Sequence, residues 1–182
     1  MTAELTLVVC GAPLTARTAD VAAVLVETGW IVTVVGSPAS REWLDVEAVE
    51  SAIGRPVLFE QRQANAARGP RPTAVVACPL TLNSGSKAAT GIMDTYATGV
   101  LCDALATRTS LTAVVMVSNR LWSHPAWVGH LGTLTAAGVR FVSPITGLAA
   151  DPEPVQSGTG PDVVARFDPG ALARAVGSPA NA

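Results

Sequence analysis

Leu5-Thr6-Leu7-Val8-Val9-Cys10, stopped by Gly11, decides the fold. Apart from Thr6 the run is apolar without alternation, which is how a strand covered on both faces reads. Working outward from it, Thr15 or Thr18 caps a helix running to about Thr28, with Val21, Ala22, Val24 and Leu25 as its apolar face. Gly29 ends that helix, Trp30–Val35 is a second strand, and Gly36-Ser37-Pro38 breaks it before a helix near Arg41–Ile53. Val57–Phe59 reads as a short third strand and the polar, proline-containing Gln61–Pro72 as a loop.

The same alternation continues. Ala74–Cys78 is a strand halted by Pro79, and Ser86–Ala106 is a helical region kinked or split at Gly91 and Gly99. Leu111–Val117 and Val139–Val142 are strands with a helix, Trp127–Ala137, between them. Thr146–Pro161, rich in proline, glycine and acidic residues, reads as a long surface loop, and Pro169–Val176 as a final helix. Strands alternating with crossover helices predict an α/β fold with one doubly wound parallel sheet. The whole of residues 1–182 reads as a single domain, its core at about 4–145, a loop at 146–167 and a helix with tail at 168–182.

The chain has 182 residues, 49% hydrophobic and 14% charged, with a formal net charge of −2. A chain of this size buries roughly 70% of its unfolded surface and needs no staples. Lys87 is the sole lysine and the arginines are scattered, so the clustered cations that bind nucleic-acid phosphates are missing. No apolar run reaches the roughly 18 residues of a membrane span, and no basic flank precedes the first apolar stretch, so a cytoplasmic protein is expected. Cys10, Cys78 and Cys102 are odd in number and widely spaced, which points to free buried thiols and to no metal site.

In doubly wound sheets, ligands bind beyond the carboxyl ends of the strands. Four segments qualify: Gly11–Thr15, Gly36–Ser40, Pro79–Ser84 and Val117–Arg120, all carrying small or hydroxylated residues. Gly11-Ala12-Pro13 admits close backbone approach, and Thr15, Ser37 and Ser40 suit phosphate oxygens at helix starts. A GxGxxG turn, a lysine-bearing phosphate loop and a GxSxG elbow are all missing, which argues against the common dinucleotide, NTPase and hydrolase chemistries. His124 and His130 read as surface or packing residues.

Pro79-Leu80-Thr81-Leu82-Asn83-Ser84-Gly85-Ser86-Lys87-Ala88-Ala89-Thr90-Gly91-Ile92-Met93-Asp94 resembles the PASANT-type motif of the flavin-containing cysteine decarboxylases, with Pro79, Asn83, Lys87, Gly91 and Asp94 at matching spacings. Asn119-Arg120-Leu121-Trp122-Ser123-His124-Pro125 is similar to the segment that follows that family's PAMN motif, and Val35-Gly36-Ser37-Pro38-Ala39 with Gly11 to its phosphate-binding start. The resemblance implies a Rossmann-like (flavodoxin-like) subunit that binds FMN and assembles as a homotrimer or homododecamer. It implies that Gly11, Ser37 and Thr15 hold the phosphate, beside which Ala12, Pro13 and Ser40 are candidates from the strand-edge reading. Pro79, Thr81, Asn83 and Ser84 would lie by the flavin ring, with Met116, Val117, Ser118 and Asn119 along its other edge. Asn83 is the candidate catalytic residue, facing a substrate carboxylate. The family's chemistry oxidises a cysteine side chain to a thioaldehyde, which then loses CO2, so the implied substrate is a peptidyl or small molecule.

Three departures follow. The family's catalytic histidine, which precedes the PASANT strand, has no counterpart before Pro79, and the PAMN stretch reads Val115-Met116-Val117-Ser118-Asn119. No cysteine follows Cys102, which argues against coenzyme A synthesis. The resemblance therefore leaves two readings open, a decarboxylase-like FMN enzyme and a flavin-binding or regulatory subunit that has lost the chemistry. Ser157-Gly158-Thr159-Gly160 falls where the family carries a mobile flap, and Arg62, Arg68 and Arg71 stand in the region of the missing histidine.

Overall fold

The computed structural model describes residues 3–61, 65 and 69–179. Arg62 and Arg68 lie outside the described residues. Five strands form one parallel sheet in the order β2-β1-β3-β4-β5: β1 (Glu4–Val9), β2 (Ile31–Gly36), β3 (Ala74–Leu80), β4 (Ser110–Val115) and β5 (Arg140–Val142). This is the flavodoxin-like order, a doubly wound sheet whose direction of winding reverses between β1 and β3.

Although β1 reads as one apolar run, its side chains still alternate. Leu5, Leu7 and Val9 face a core shared with α1 (Thr18–Glu27), α2 (Val46–Ile53) and α8 (Pro169–Val176). Val8 and Cys10 face a second core against α4 (Tyr96–Thr107) and α6 (Trp127–Ala136), and α3 (Leu82–Thr90) adds Ala88 to it. Each fully buried Leu or Val contributes roughly 1.5–3 kcal/mol, so both faces of the sheet must be covered for the strand to sit there. Two shorter helices complete the set, α5 (Asn119–Trp122) and α7 (Gly160–Arg166).

Several elements differ from the sequence expectation. Val57–Phe59 forms no strand: only Leu58 bridges β2, through one bond each way with Val34 and Gly36, before the chain leaves the edge. The helix expected from Arg41 begins at Val46, because Asp45 is the residue whose carboxylate accepts the Ala48 N–H, at 3.0 Å. Residues 86–106 are split. Thr81 caps α3, and Gly91 ends it at φ +76°, a conformation that costs glycine nothing. A reciprocal Thr95–Thr98 cap then starts α4, and Gly99 passes within it unbroken. Neither Thr15 nor Thr18 caps α1, whose preceding residue is Arg17 at the end of a 3-10 turn, Pro13–Arg17. Within the expected loop 146–167, α7 packs on that 3-10 turn, and Arg17 donates to the carbonyls of Val164 and Phe167. No helix among the described residues is long and apolar enough to cross a membrane.

Candidate functional site

A cleft of about 620 Å³ opens at the carboxyl edge of the sheet, where the β1 and β3 ends part. Its first wall is made of backbone. The Cys10 N–H donates to Pro79 O (3.2 Å) and the Ser37 N–H to Val9 O (2.8 Å), tying the loops after β1 and β2 to their neighbours. A Cβ on Gly11 would stand 2.4 Å from Ala39 O, so only glycine lets these two loops press together. Gly11, Ala12, Pro13, Ser37, Pro38 and Ala39 line the cleft here.

Hydroxyl groups in this wall divide into two kinds. The Thr15 hydroxyl donates to Cys10 O (2.8 Å) and accepts the Ala12 N–H, and the Ser40 hydroxyl donates to Ser37 O (2.7 Å). Both side chains are buried and absent from the lining, so they brace the loops from behind instead of meeting a ligand. Ser37 is the opposite case. Its Oγ is buried, on the cleft wall, and bonded to nothing. A buried hydroxyl without a partner costs roughly 1–3 kcal/mol, so its position is explained by a group that arrives from the cleft.

The second wall begins at the start of α3, where Thr81 Oγ1 accepts the Ser84 N–H (3.5 Å) and Leu82 and Asn83 reach the cleft. First-turn N–H groups of a helix have no partner within the helix and favour anionic or electron-rich atoms. Lys87, one turn on, is the only charged residue among the described lining residues. Its Nζ lies 2.6 Å from Asp94 and, by that bond, holds the Asp94 carboxyl below the ordinary value. Thr95 and Thr98 lie next to it on the wall. Under the cleft, burial pushes the Cys10 thiol up despite donors from Ser84 and Thr81, which leaves a protonated, unreactive sulfur.

Met116, Val117 and Ser118, after β4, form the far side together with Leu121, and residues 155–158 with Gly160 run alongside. Pro79 and Asn119, expected at the ligand, do not line the cleft. Pro79 offers its carbonyl to Cys10, and Asn119 turns its side chain to Ser157. Sequence reasoning missed Trp43, Leu82, Thr95, Thr98, Leu121 and Val155 as lining residues. Leu82 and Leu121 lie inside segments singled out from the sequence but are apolar, whereas Trp43, Thr95, Thr98 and Val155 stand outside those segments and carry no local signal.

Neither histidine reaches the cleft: His124 Nδ1 accepts the Ala126 N–H, and His130 Nδ1 is 2.9 Å from Ser86 Oγ. Arg71 lines a different groove, along with Tyr96 and Asp103. The described residues hold no cluster of His, Cys, Asp or Glu fit for a metal. With no carboxylate among its described lining residues, a paired lysine, an orphaned hydroxyl and apolar sides, the cleft fits an aromatic group bearing a phosphate.

Solved structures share this architecture. The FMN-dependent cysteine decarboxylase SpaF is 22% identical over 78% of this chain and 83% of its own, with a TM-score of 0.66. The cypemycin decarboxylase CypD is 22% identical over 95% and 91%, with a TM-score of 0.66. The FMN binding protein AtHal3 is 16% identical over 91% and 94%, with a TM-score of 0.70. At such identities the likeness shows the fold. No curated protein matches the sequence significantly. The family model described as flavoprotein matches residues 2–166, nearly the whole length that builds the sheet and the cleft, and the chain belongs to the flavoprotein family.

Proposed function

We propose that the chain binds FMN in the cleft between the β1 and β3 ends and acts as a decarboxylase-like oxidoreductase on a cysteine-containing or other small carboxylated substrate. The observation that carries the cofactor reading is the buried, unpartnered hydroxyl of Ser37 on the cleft wall. Ser37 donates to the phosphate, with Gly11, Ala12 and Pro13 providing close backbone approach and Thr15 and Ser40 holding the loops rigid. Thr81, Asn83 and Ser84 lie along one edge of the ring, with Met116, Val117 and Ser118 along the other. FMN, when bound, supplies a two-electron acceptor.

Asn83 stands at the first turn of α3 and presents an amide that donates to a substrate carboxylate. Lys87, four residues on, adds a positive charge on the same helix, the one among the described lining residues. The apolar side chains of Trp43, Leu82 and Leu121 offer the ligand apolar surface on the cleft lining. Similarity to SpaF and CypD, one an FMN-dependent cysteine decarboxylase and the other a cypemycin decarboxylase, supports the substrate class. We expect a homotrimer or homododecamer, a reading supported by the exposed apolar pair Ile92 and Met93 at the corner between α3 and α4.

One observation favours a second reading. The chain has two histidines, and both are engaged away from the cleft, so no histidine stands among the described lining residues to accept a proton. A general base contributes roughly 100- to 10,000-fold. The alternative is a flavin-binding or regulatory subunit that keeps the fold without turnover. Purification from a flavin-replete host, with chromatography of the released chromophore, tests the cofactor. Stoichiometric FMN is expected, and a colourless protein indifferent to added FMN overturns it. Release of CO2 from cysteine-terminated peptides then separates the two readings. A flavin-loaded protein inert across a broad panel leaves the non-catalytic one.

A further inference from the structure

Residues 155–160 cross the mouth of the cleft as a strap fixed at both ends. At one end, Val155 N–H donates to Val117 O and Asn119 N–H to Val155 O, both at 2.8 Å, a single parallel bridge onto the chain leaving β4. At the other, Gly160 sits so close to Pro13 that a Cβ would come 2.8 Å from the proline ring, and α7 follows, docked on the 3-10 turn. Between these anchors the strap is a tight turn. Thr159 donates through both N–H (3.1 Å) and hydroxyl (2.8 Å) to Gln156 O, with Gly158 at φ +89°. Gln156, Ser157 and Gly158 are exposed on one side and line the cleft on the other. Within the span, one side chain fastens the strap to the body. Asn119 Oδ1 accepts both the Ser157 N–H (3.0 Å) and the Ser157 hydroxyl (2.7 Å).

We infer that Asn119 and Ser157 form a latch that sets how fast the cofactor enters and leaves, so that Asn119 is a positioning residue for the strap. The inference rests on FMN occupying the cleft. Val155 packs on the core as part of its anchor, whereas Gln156, Ser157 and Gly158 are exposed and wall the space a bound flavin would fill, so local opening needs the latch to break while both anchors stay. Two hydrogen bonds to one acceptor are enough to change an opening equilibrium by about tenfold or more. The latch has no part in the sheet, so its loss leaves the fold intact.

The test is FMN release from the loaded protein, followed by flavin fluorescence on dilution into a trapping apoflavoprotein. Asn119→Ala is expected to release FMN about tenfold faster or more, with Ser157→Ala close behind. The double variant should be no faster than Asn119→Ala, because Ser157→Ala removes only one of the two bonds that Asn119→Ala already removes. Asn119→Asp keeps the double acceptor and should restore slow release. In the apo chain, exchange of the Ser157 amide hydrogen should accelerate in Asn119→Ala with no change in Tm. Release from Asn119→Ala at the wild-type rate overturns the latch and leaves the FMN reading standing. A wild-type chain that takes up no FMN overturns the cofactor reading and the latch with it, so the two failures are told apart.

Discussion

The two walls of the cleft are built on different principles. The wall from the loops after β1 and β2 is packed backbone: Thr15, Ser37 and Ser40 are each buried, and Gly11 has no room for a methyl group. The wall from α5 and the strap is exposed, fastened by one bridge and the Asn119–Ser157 pair. Close-packed backbone cannot yield by small amounts, whereas a strap held by few solvent-exposed bonds opens at low cost. A site that must recognise a ligand firmly and still admit it can use one wall of each kind.

Substitutions should grade accordingly. The largest effect is expected at Gly11→Ala, where the new Cβ meets a backbone oxygen at 2.4 Å and cannot swing aside. Overpacking of this kind costs about 1–3 kcal/mol, and flavin titration should show no uptake alongside a lowered Tm. Normal uptake would erase the claimed rigidity of the first wall. Thr15→Val comes next: it leaves Cys10 O and Ala12 N–H each without its hydroxyl partner, a loss of about 1–3 kcal/mol measured by urea unfolding.

Ser37→Ala separates ligand recognition from folding within that same wall. Because the hydroxyl has no partner in the protein, its removal should leave stability unchanged or raised. FMN affinity should nevertheless fall about tenfold or more, since a hydrogen bond to a charged phosphate is lost. Equal affinity in the variant would move the phosphate elsewhere. Lys87→Met has the smallest effect. The Lys87 ammonium holds the Asp94 carboxyl below its ordinary pKa, so the pair's contribution is present above the ordinary carboxylate value and fades as pH falls through the lowered one. In the variant, an NMR titration should find Asp94 back near the ordinary value, with Tm almost unmoved because the pair is solvent-exposed.

Much of the fold was legible, although Pro79, expected to halt its strand, lies inside β3, which runs on to Leu80. The reason is that burial on two faces leaves unbroken apolar runs, as in Leu5–Val9, and that Gly91 ends α3 where the backbone turns. Val57–Phe59 misled for the same reason: three apolar residues look alike whether they pair along their length or touch an edge once, as Leu58 does. The start of α3 was placed four residues late, since Thr81 is one of several hydroxyl-bearing residues in that stretch, with Ser84 and Ser86, and only the structure shows which of them caps the helix.

The candidate site was legible only to the level of segments. Residue type told that the strand ends carry small and hydroxylated side chains, and periodicity told which ends they occupy. Direction was not in the sequence. Thr15 and Ser40 turn inward to carbonyls while Ser37, chemically their equal, turns to the cleft and keeps a free hydroxyl. Trp43, Leu121 and Val155 line one cleft from segments more than thirty residues apart in the chain. The sequence by itself determined the alternation of strands and helices, and with it the edge at which a ligand binds, because those follow from local periodicity and turn chemistry. Only the tertiary structure decided which hydroxyl is left free, which asparagine fastens a strap and which apolar side chains meet, because those depend on distances between segments that local pattern does not encode.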